Sequence, residues 1–197
     1  MVANARPATI EDLDRIPDDG NRYELLNGVI SMADAPTYRH QLTVRAVFLL
    51  INTWVEEFDL GETLFAPLDV VLDDQNSLQP DILYIDEQHL TIVRGAKVYG
   101  APQLIVEVIS PGSRSRDSVE KPMRYALAGS TEYWLVDPEL ETIAVFALVG
   151  NVYVERAAGD DGIIESTVLP GLTFSAETIF ATVNDRMGRT LTVQPNE

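Results

Sequence analysis

Apolar residues return at helical spacing between Gln41 and Phe58: Leu42, Ala46, Leu49, Leu50, Trp54 and Phe58 form one stripe, which Val47, Ile51 and Val55 widen. This pattern predicts the main buried helix. Upstream, Thr9 followed by Asp12 reads as the capped start of a short helix. Arg22–Leu26 and Val29–Met32 flank Asn27-Gly28, a pair that tolerates positive φ at both positions of a tight turn, so a β-hairpin is predicted. Glu62 to Leu72, with Leu64, Ala66, Leu68 and Val70 alternating, reads as one strand, and Asp73–Ser77 as a turn. Pro80-Asp81 then opens the strand Ile82-Leu83-Tyr84-Ile85, and the glycine-punctuated stretch 86–101 reads as a connection with a short helix.

The most apolar stretch is Gln103–Pro111. In a strand Leu104, Val106 and Val108 point one way and Ile105, Glu107 and Ile109 the other, so both faces are apolar except at Glu107. A buried ionised carboxylate costs on the order of several kcal/mol unless it is compensated, so Glu107 needs a partner. Beyond the turn at Ser110–Ser113, Ser115 or Asp117 can cap a helix carrying Lys121, Tyr125 and Ala128 on one stripe, with Val119, Met123, Ala126 and Leu127 as apolar cover. Pro122 disturbs this helix: either it begins late or Lys121 is displaced. Gly129 ends it, and Glu132–Asp137 reads as another buried strand. Thr142–Leu148 and Val152–Arg156 form a second hairpin across Gly150-Asn151, followed by one more strand and an amphipathic stretch from Ala176 to Val183. The pattern predicts buried strands interleaved with helices and an N-terminal β-hairpin.

Composition narrows the classes. A chain of 197 residues with 46% hydrophobic residues can build one core. No apolar run reaches the roughly 18 residues of a membrane span, and the N-terminus has no signal-like design, so a soluble, cytoplasmic protein is expected. The absence of cysteine excludes disulfides and thiolate metal sites. A net charge of −17 argues against a surface that coats nucleic acid broadly, so any phosphate contact must be local. Against that background Arg114, Arg116, Lys121 and Arg124 cluster just after Glu107. Their plain reading is a solvated loop and helix face.

Asp81, Glu107 and Lys121 carry the candidate chemistry. Two carboxylates at neighbouring strand ends can hold Mg²⁺ or Mn²⁺ through oxygen, and a nearby ammonium can orient an attacking water or stabilise charge on a phosphate. The structural alternative is a buried Glu107–Lys121 ion pair with Asp81 as a turn residue, and spacing alone does not choose between them. Ser110 and Ser113 lack the acid and histidine of a recognisable nucleophile motif, the only histidines being His40 and His89.

At these residues the sequence resembles the Uma2 family, within the PD-(D/E)XK nuclease superfamily. The resemblance runs through Tyr23–Gly28, His40-Gln41, Ala66–Val70, Gln79-Pro80-Asp81, Val106–Pro111, Asp117 through Lys121 to Tyr125, and Glu132–Pro138. It implies an α/β (α+β) fold with a restriction-endonuclease-like core, a central mixed β-sheet flanked by helices with an N-terminal β-hairpin, in a single nuclease-like domain over 1–197: helix and hairpin at 1–35, core at 36–148, β-rich extension at 149–197. It also implies a metal-dependent endonuclease with Mg²⁺ or Mn²⁺ as cofactor and nucleic acid, DNA first, as substrate. Carried over by position, Asp81 and Glu107 are the metal-binding acids and Lys121 the catalytic lysine, moved from the position of Ile109 onto the following helix. Glu24 matches an early acid that assists the metal, and His40 an accessory position without an assigned role. Arg114, Arg116 and Arg124 are candidates to steer phosphate. Two departures from the family pattern are Gln103, where an acid is usual, and Pro122. They keep open a second expectation, a catalytically weak or inactive nuclease-fold protein that acts as a binding or regulatory module. The polar edge of the β-rich C-terminal part points to a homodimer.

Overall fold

Two six-stranded mixed sheets carry the chain, and the strand carrying Glu107 runs through the middle of one of them. The computed structural model describes residues 6–192. After a short helix α1 (Ile10–Asp14), closed by the expected Thr9–Asp12 capping box, the hairpin β1 (Tyr23–Leu26) and β2 (Val29–Met32) turns at Asn27 and Gly28. Both turn residues have positive φ, 55° and 72°. The long helix α2 (Tyr38–Phe58) starts at Thr37, whose hydroxyl accepts from the His40 amide.

The stretch expected as one strand is two. β3 (Gly61–Phe65) and β4 (Asp69–Asp73) flank Ala66-Pro67 and join different sheets. Pro67 has no amide to give to a ladder, so strand pairing stops there although the apolar alternation continues. β5 (Asn76–Leu78) takes in two residues expected in the turn. β6 (Ile82–Asp86), a 3₁₀ turn at Glu87–Ile92, β7 (Val93–Arg94) and β8 (Lys97–Tyr99) lead to the central β9 (Leu104–Val108). A π-helical turn at Arg116–Glu120 runs into α3 (Lys121–Ala128), followed by β10 (Glu132–Asp137), β11 (Thr142–Val149), β12 (Val152–Arg156), β13 (Ile164–Glu165), β14 (Thr173–Phe174) and α4 (Ala176–Thr192).

The first sheet is ordered β2-β1-β5-β4-β8-β7 and the second β12-β11-β10-β9-β6-β3, while β13 and β14 form a separate pair. β9 runs parallel to β10 and antiparallel to β6. Leu104, Val106 and Val108 enter a core with α2, Trp134 and α4. On its other face Ile105 enters a second core with Leu26, Val70, Leu78, Val98, Tyr125 and Tyr133, filled from both sheets and α3. Glu107 shares this second face.

Two faces differ from the expected ones. On α2 Leu42 of the predicted stripe is buried with Val47, Ile51 and Val55, and Ala46, Leu50 and Trp54 pack against the same core, whereas Leu49 and Phe58 are 48% and 49% exposed. The face is therefore centred on the residues that widened the predicted stripe, because surplus apolar residues leave the centre of a stripe undefined. On α3 Lys121, Tyr125 and Ala126 are buried, but Val119, Met123 and Leu127 face outward. These three recur every four residues on the side opposite Lys121 and Tyr125. Among the described residues no helix is long and apolar enough to cross a membrane.

Candidate active site

The C-terminal end of β9 is where the predicted residues meet. Ile82 pairs with Val106, and one step further along this register Asp81 stands opposite Glu107. Asp81 is fixed there because its Oδ2 accepts the Val108 amide at 2.8 Å. Glu107 accepts at Oε1 from Lys121 Nζ at 3.1 Å and from the Tyr125 hydroxyl at 3.2 Å. Glu24, on β1 of the other sheet, brings Oε1 to 3.1 Å from the same ammonium and also accepts the Gln79 amide at 2.9 Å. Asp117 Oδ1 is a third carboxylate oxygen on Lys121, at 3.3 Å.

Pro122 does not displace the lysine. Lys121 opens α3 directly after the π turn, Pro122 lies in the first helical turn where its missing amide costs little, and the side chain points inward to be 5% exposed. Gln103 lies at the opposite end of β9, where its Oε1 accepts the Asp86 amide at 3.0 Å. The departure there sits away from the cluster.

His40 comes from the first turn of α2. Its Nε2 is 2.9 Å from the Val108 carbonyl oxygen, which fixes it as a donor, and 3.3 Å from Asp81 Oδ2. Its Nδ1 is buried with no hydrogen-bond partner. Arg116 lines the pocket and donates to Ser31 Oγ at 2.9 Å. Arg114 instead donates to Asp137 Oδ2 at 2.6 Å, and Arg124 to the Asn27 side chain at the hairpin turn. Sequence reasoning singled out Asp117 only as a helix cap, although it lies four residues before Lys121 and so on the same helical face. Arg22, also in the pocket wall, was seen only as a strand residue.

Crowding like charges in a dry place sets the electrostatics. Burial raises the Glu107 pKa well above the ordinary carboxylate value; Lys121 opposes this, while Asp117, Asp81 and Glu24 add to it. Burial also raises Asp117, again opposed by Lys121. For Lys121 burial acts to lower the pKa, but Glu107, Glu24 and Asp117 together outweigh it and the value rises. The lysine is therefore an ammonium at neutral pH, a donor and not a base. His40 is likewise raised: burial opposes protonation, and Asp81 outweighs it.

Among the described residues no three Asp, Glu or His heads stand together in metal-holding geometry. The donor set nevertheless fits a hard divalent cation. It is made of carboxylate oxygens without sulfur, and the buried Asp117 Oδ1 accepts no hydrogen bond.

The mixed sheet flanked by helices, with the acids at the end of its central strand, has a nuclease-like fold. The family described as "Uma2: Putative restriction endonuclease" matches residues 10–177, and the chain belongs to that family. Among solved structures it is similar to a protein of Anabaena variabilis titled a putative nuclease belonging to DUF820, with a TM-score of 0.76 and 18% identity over 90% of this chain and 99% of that one. At that identity the likeness shows the fold. No curated protein matches the chain.

Proposed function

We propose that the chain is a divalent-metal-dependent endonuclease that hydrolyses phosphodiester bonds of nucleic acid. The observation that carries this reading is that Asp81, across the strand pair from Glu107, lines one open pocket with Glu107, Glu24, Asp117 and Lys121. Asp81 and Glu107 would hold Mg²⁺ or Mn²⁺, with Glu24 as a further acid at its edge. Such an ion supplies a more acidic water and neutralises charge on the phosphate. Lys121, kept protonated by its acids, donates to an oxygen of the attacking water or of the phosphate and stabilises charge there. Tyr125 and the Val108 amide hold Glu107 and Asp81 in place before substrate arrives. Arg116, which has no carboxylate partner among the described residues, steers phosphate toward the acids, while Arg114 and Arg124 are engaged at Asp137 and Asn27.

Because Glu24 comes from the hairpin and the other acids from 36–148, the pocket needs both segments, which supports the single-domain reading. Nicking of supercoiled plasmid by the purified chain with Mn²⁺ or Mg²⁺, lost in Glu107→Gln, is the expected result. Equal nicking by that variant, or none by the wild type with either ion, overturns the proposal.

One observation favours the non-catalytic alternative: Lys121 itself already sits among three of the acids. Under that reading the fold serves as a binding or regulatory module, and calorimetry with millimolar Mn²⁺ gives no heat. Metal binding that Asp81→Asn abolishes speaks for the endonuclease. A homodimer is proposed through the open edge of β12, where Val152 and Val154 are exposed. A light-scattering mass of one chain would refute it. A cytoplasmic location is proposed with it and is checked by cell fractionation.

A further inference from the structure

The hairpin contributes more to the pocket than Glu24. Glu24 pairs across the hairpin with Ser31, and the Ala33 amide donates to the Arg22 carbonyl, so the ladder extends to residue 22. Residues two apart on a strand share a face, which puts Arg22 on the face of Glu24. Arg22 accordingly lines the acid pocket and also the adjoining cleft with Asn21, Met32, Ala35, Gln41 and Pro67. It stands where the pocket opens into that cleft.

Among the described residues Arg22, like Arg45, Arg94, Arg116, Arg124 and Arg156, faces no carboxylate within 4 Å, and of these Arg22 and Arg116 line the acid pocket. Arg6, Arg15, Arg39, Arg114, Lys97 and Lys121 each face a carboxylate within 4 Å. Arg22 is half-buried, and its contact is the Asp34 main-chain oxygen at 3.5 Å, the outer limit of a hydrogen bond. The Asp34 carboxylate lies instead against Gly112. Arg116, the other arginine of the pocket wall, is held by a neutral hydroxyl, Ser31 Oγ, from the same hairpin. Two guanidiniums flanking a nest of carboxylates, neither ion-paired among the described residues, are suited to an external polyanion, and the fork of an arginine matches phosphate oxygens.

We propose that Arg22, together with Arg116, forms the phosphate-binding subsite of this pocket and contacts the nucleic-acid backbone beside the bond to be cut. The subsite rests on the endonuclease reading and adds a contact that the acids and lysine do not provide. Since the rest of the protein repels phosphate, one contact here weighs heavily in binding.

The test is fluorescence anisotropy with a short labelled DNA duplex, with Ca²⁺ replacing Mg²⁺ so that binding is read apart from turnover. Wild type, Arg22→Gln, Arg22→Lys and Arg94→Gln are titrated across roughly 50 to 200 mM KCl. Arg94 lies on β7, at the far edge of the first sheet from the hairpin, and controls for the loss of one charge. Arg22→Gln is expected to flatten the salt slope by about 0.9, so that the affinity lost over that range shrinks by about 3.5-fold relative to wild type. Arg22→Lys and Arg94→Gln are expected to keep the wild-type slope. An unchanged slope in Arg22→Gln, or equal flattening in Arg94→Gln, overturns the subsite. If Arg22→Gln lowers the melting temperature, Arg22→Lys decides, because failure of the retained charge to hold the slope also overturns it. A wild type that nicks plasmid while Arg22→Gln binds with unchanged slope refutes the subsite alone. A wild type that neither nicks nor binds refutes the endonuclease reading and the subsite together.

Discussion

Two glutamates are buried on adjacent parallel strands, and their surroundings are opposite in kind. Glu132, beside Leu104 at the start of the β9–β10 pair, has both oxygens occupied by neutral donors. Trp134 Nε1 at 2.6 Å and Ser166 Oγ at 2.8 Å reach Oε1, while the Thr167 amide at 2.5 Å and its hydroxyl reach Oε2. Glu107, near the other end of that pair, meets an ammonium and a phenol, both on Oε1, and three further acids. The first carboxylate is solvated by protein dipoles and ties the segment before β14 to the sheet. The second shares its one ammonium with two further acids and keeps a pKa well above the ordinary carboxylate value. Burial of an acid thus says little about function until its partners are known.

The sharpest way to break this contrast is to neutralise each acid in turn. Glu107→Gln is expected to lower metal-dependent nicking by about 100-fold or more while the chain stays folded, read from plasmid nicking beside a circular-dichroism melt. Nicking within a few-fold of wild type would put the two glutamates in one class. Lys121→Met leaves Glu24, Glu107 and Asp117 without their ammonium, and a loss of about 3 to 5 kcal/mol in urea unfolding at neutral pH is expected. Mn²⁺ should restore part of that loss, which a purely structural ion pair would not predict.

Glu132→Gln should do the reverse of Glu107→Gln. It puts an amide against the donors of Thr167 or Trp134, so a loss of about 2 kcal/mol in urea unfolding is expected, with nicking per folded molecule unchanged. The smallest effect concerns pH. Glu107 and Asp117 have folded pKa values above their unfolded ones, so between those values the folded state holds protons that the unfolded state has released. Their contribution to stability therefore declines as pH rises above the ordinary carboxylate range, and His40, raised above 6.5, adds a decline of the same sign. Urea midpoints across pH should show this decline shallower in Glu107→Gln than in wild type, and as steep in Glu132→Gln.

Much of the fold can be read along the chain. The Asn27-Gly28 hairpin, the long helix, the central strand with Glu107 and the hairpin at Gly150-Asn151 follow from period and turn chemistry alone. The split at Ala66-Pro67 does not, because alternation records which face is apolar and not which sheet a strand joins. The exposure of Leu49 and Phe58 in the predicted α2 stripe has a related reason: Leu49 and Val47 are equally apolar, and only the packing of sheet and α4 chooses between them. In the candidate site Asp81, Glu107 and Lys121 stand out as residue types, and family resemblance adds Glu24 and His40. Asp117 has a local signal, its four-residue spacing from Lys121, which becomes visible once the π turn is known to continue into α3.

The sequence by itself determined most of the helices and hairpins, the odd charge at Glu107 and the acidity of the surface, since these depend on local period and on composition. Tertiary structure alone decided which carboxylates share one ammonium and which is satisfied by neutral donors. It also decided that Arg22 stands beside Glu24 in the pocket wall. Those outcomes depend on strand register and on two sheets packing across a common core, and distances between residues far apart in the chain are written in neither composition nor period.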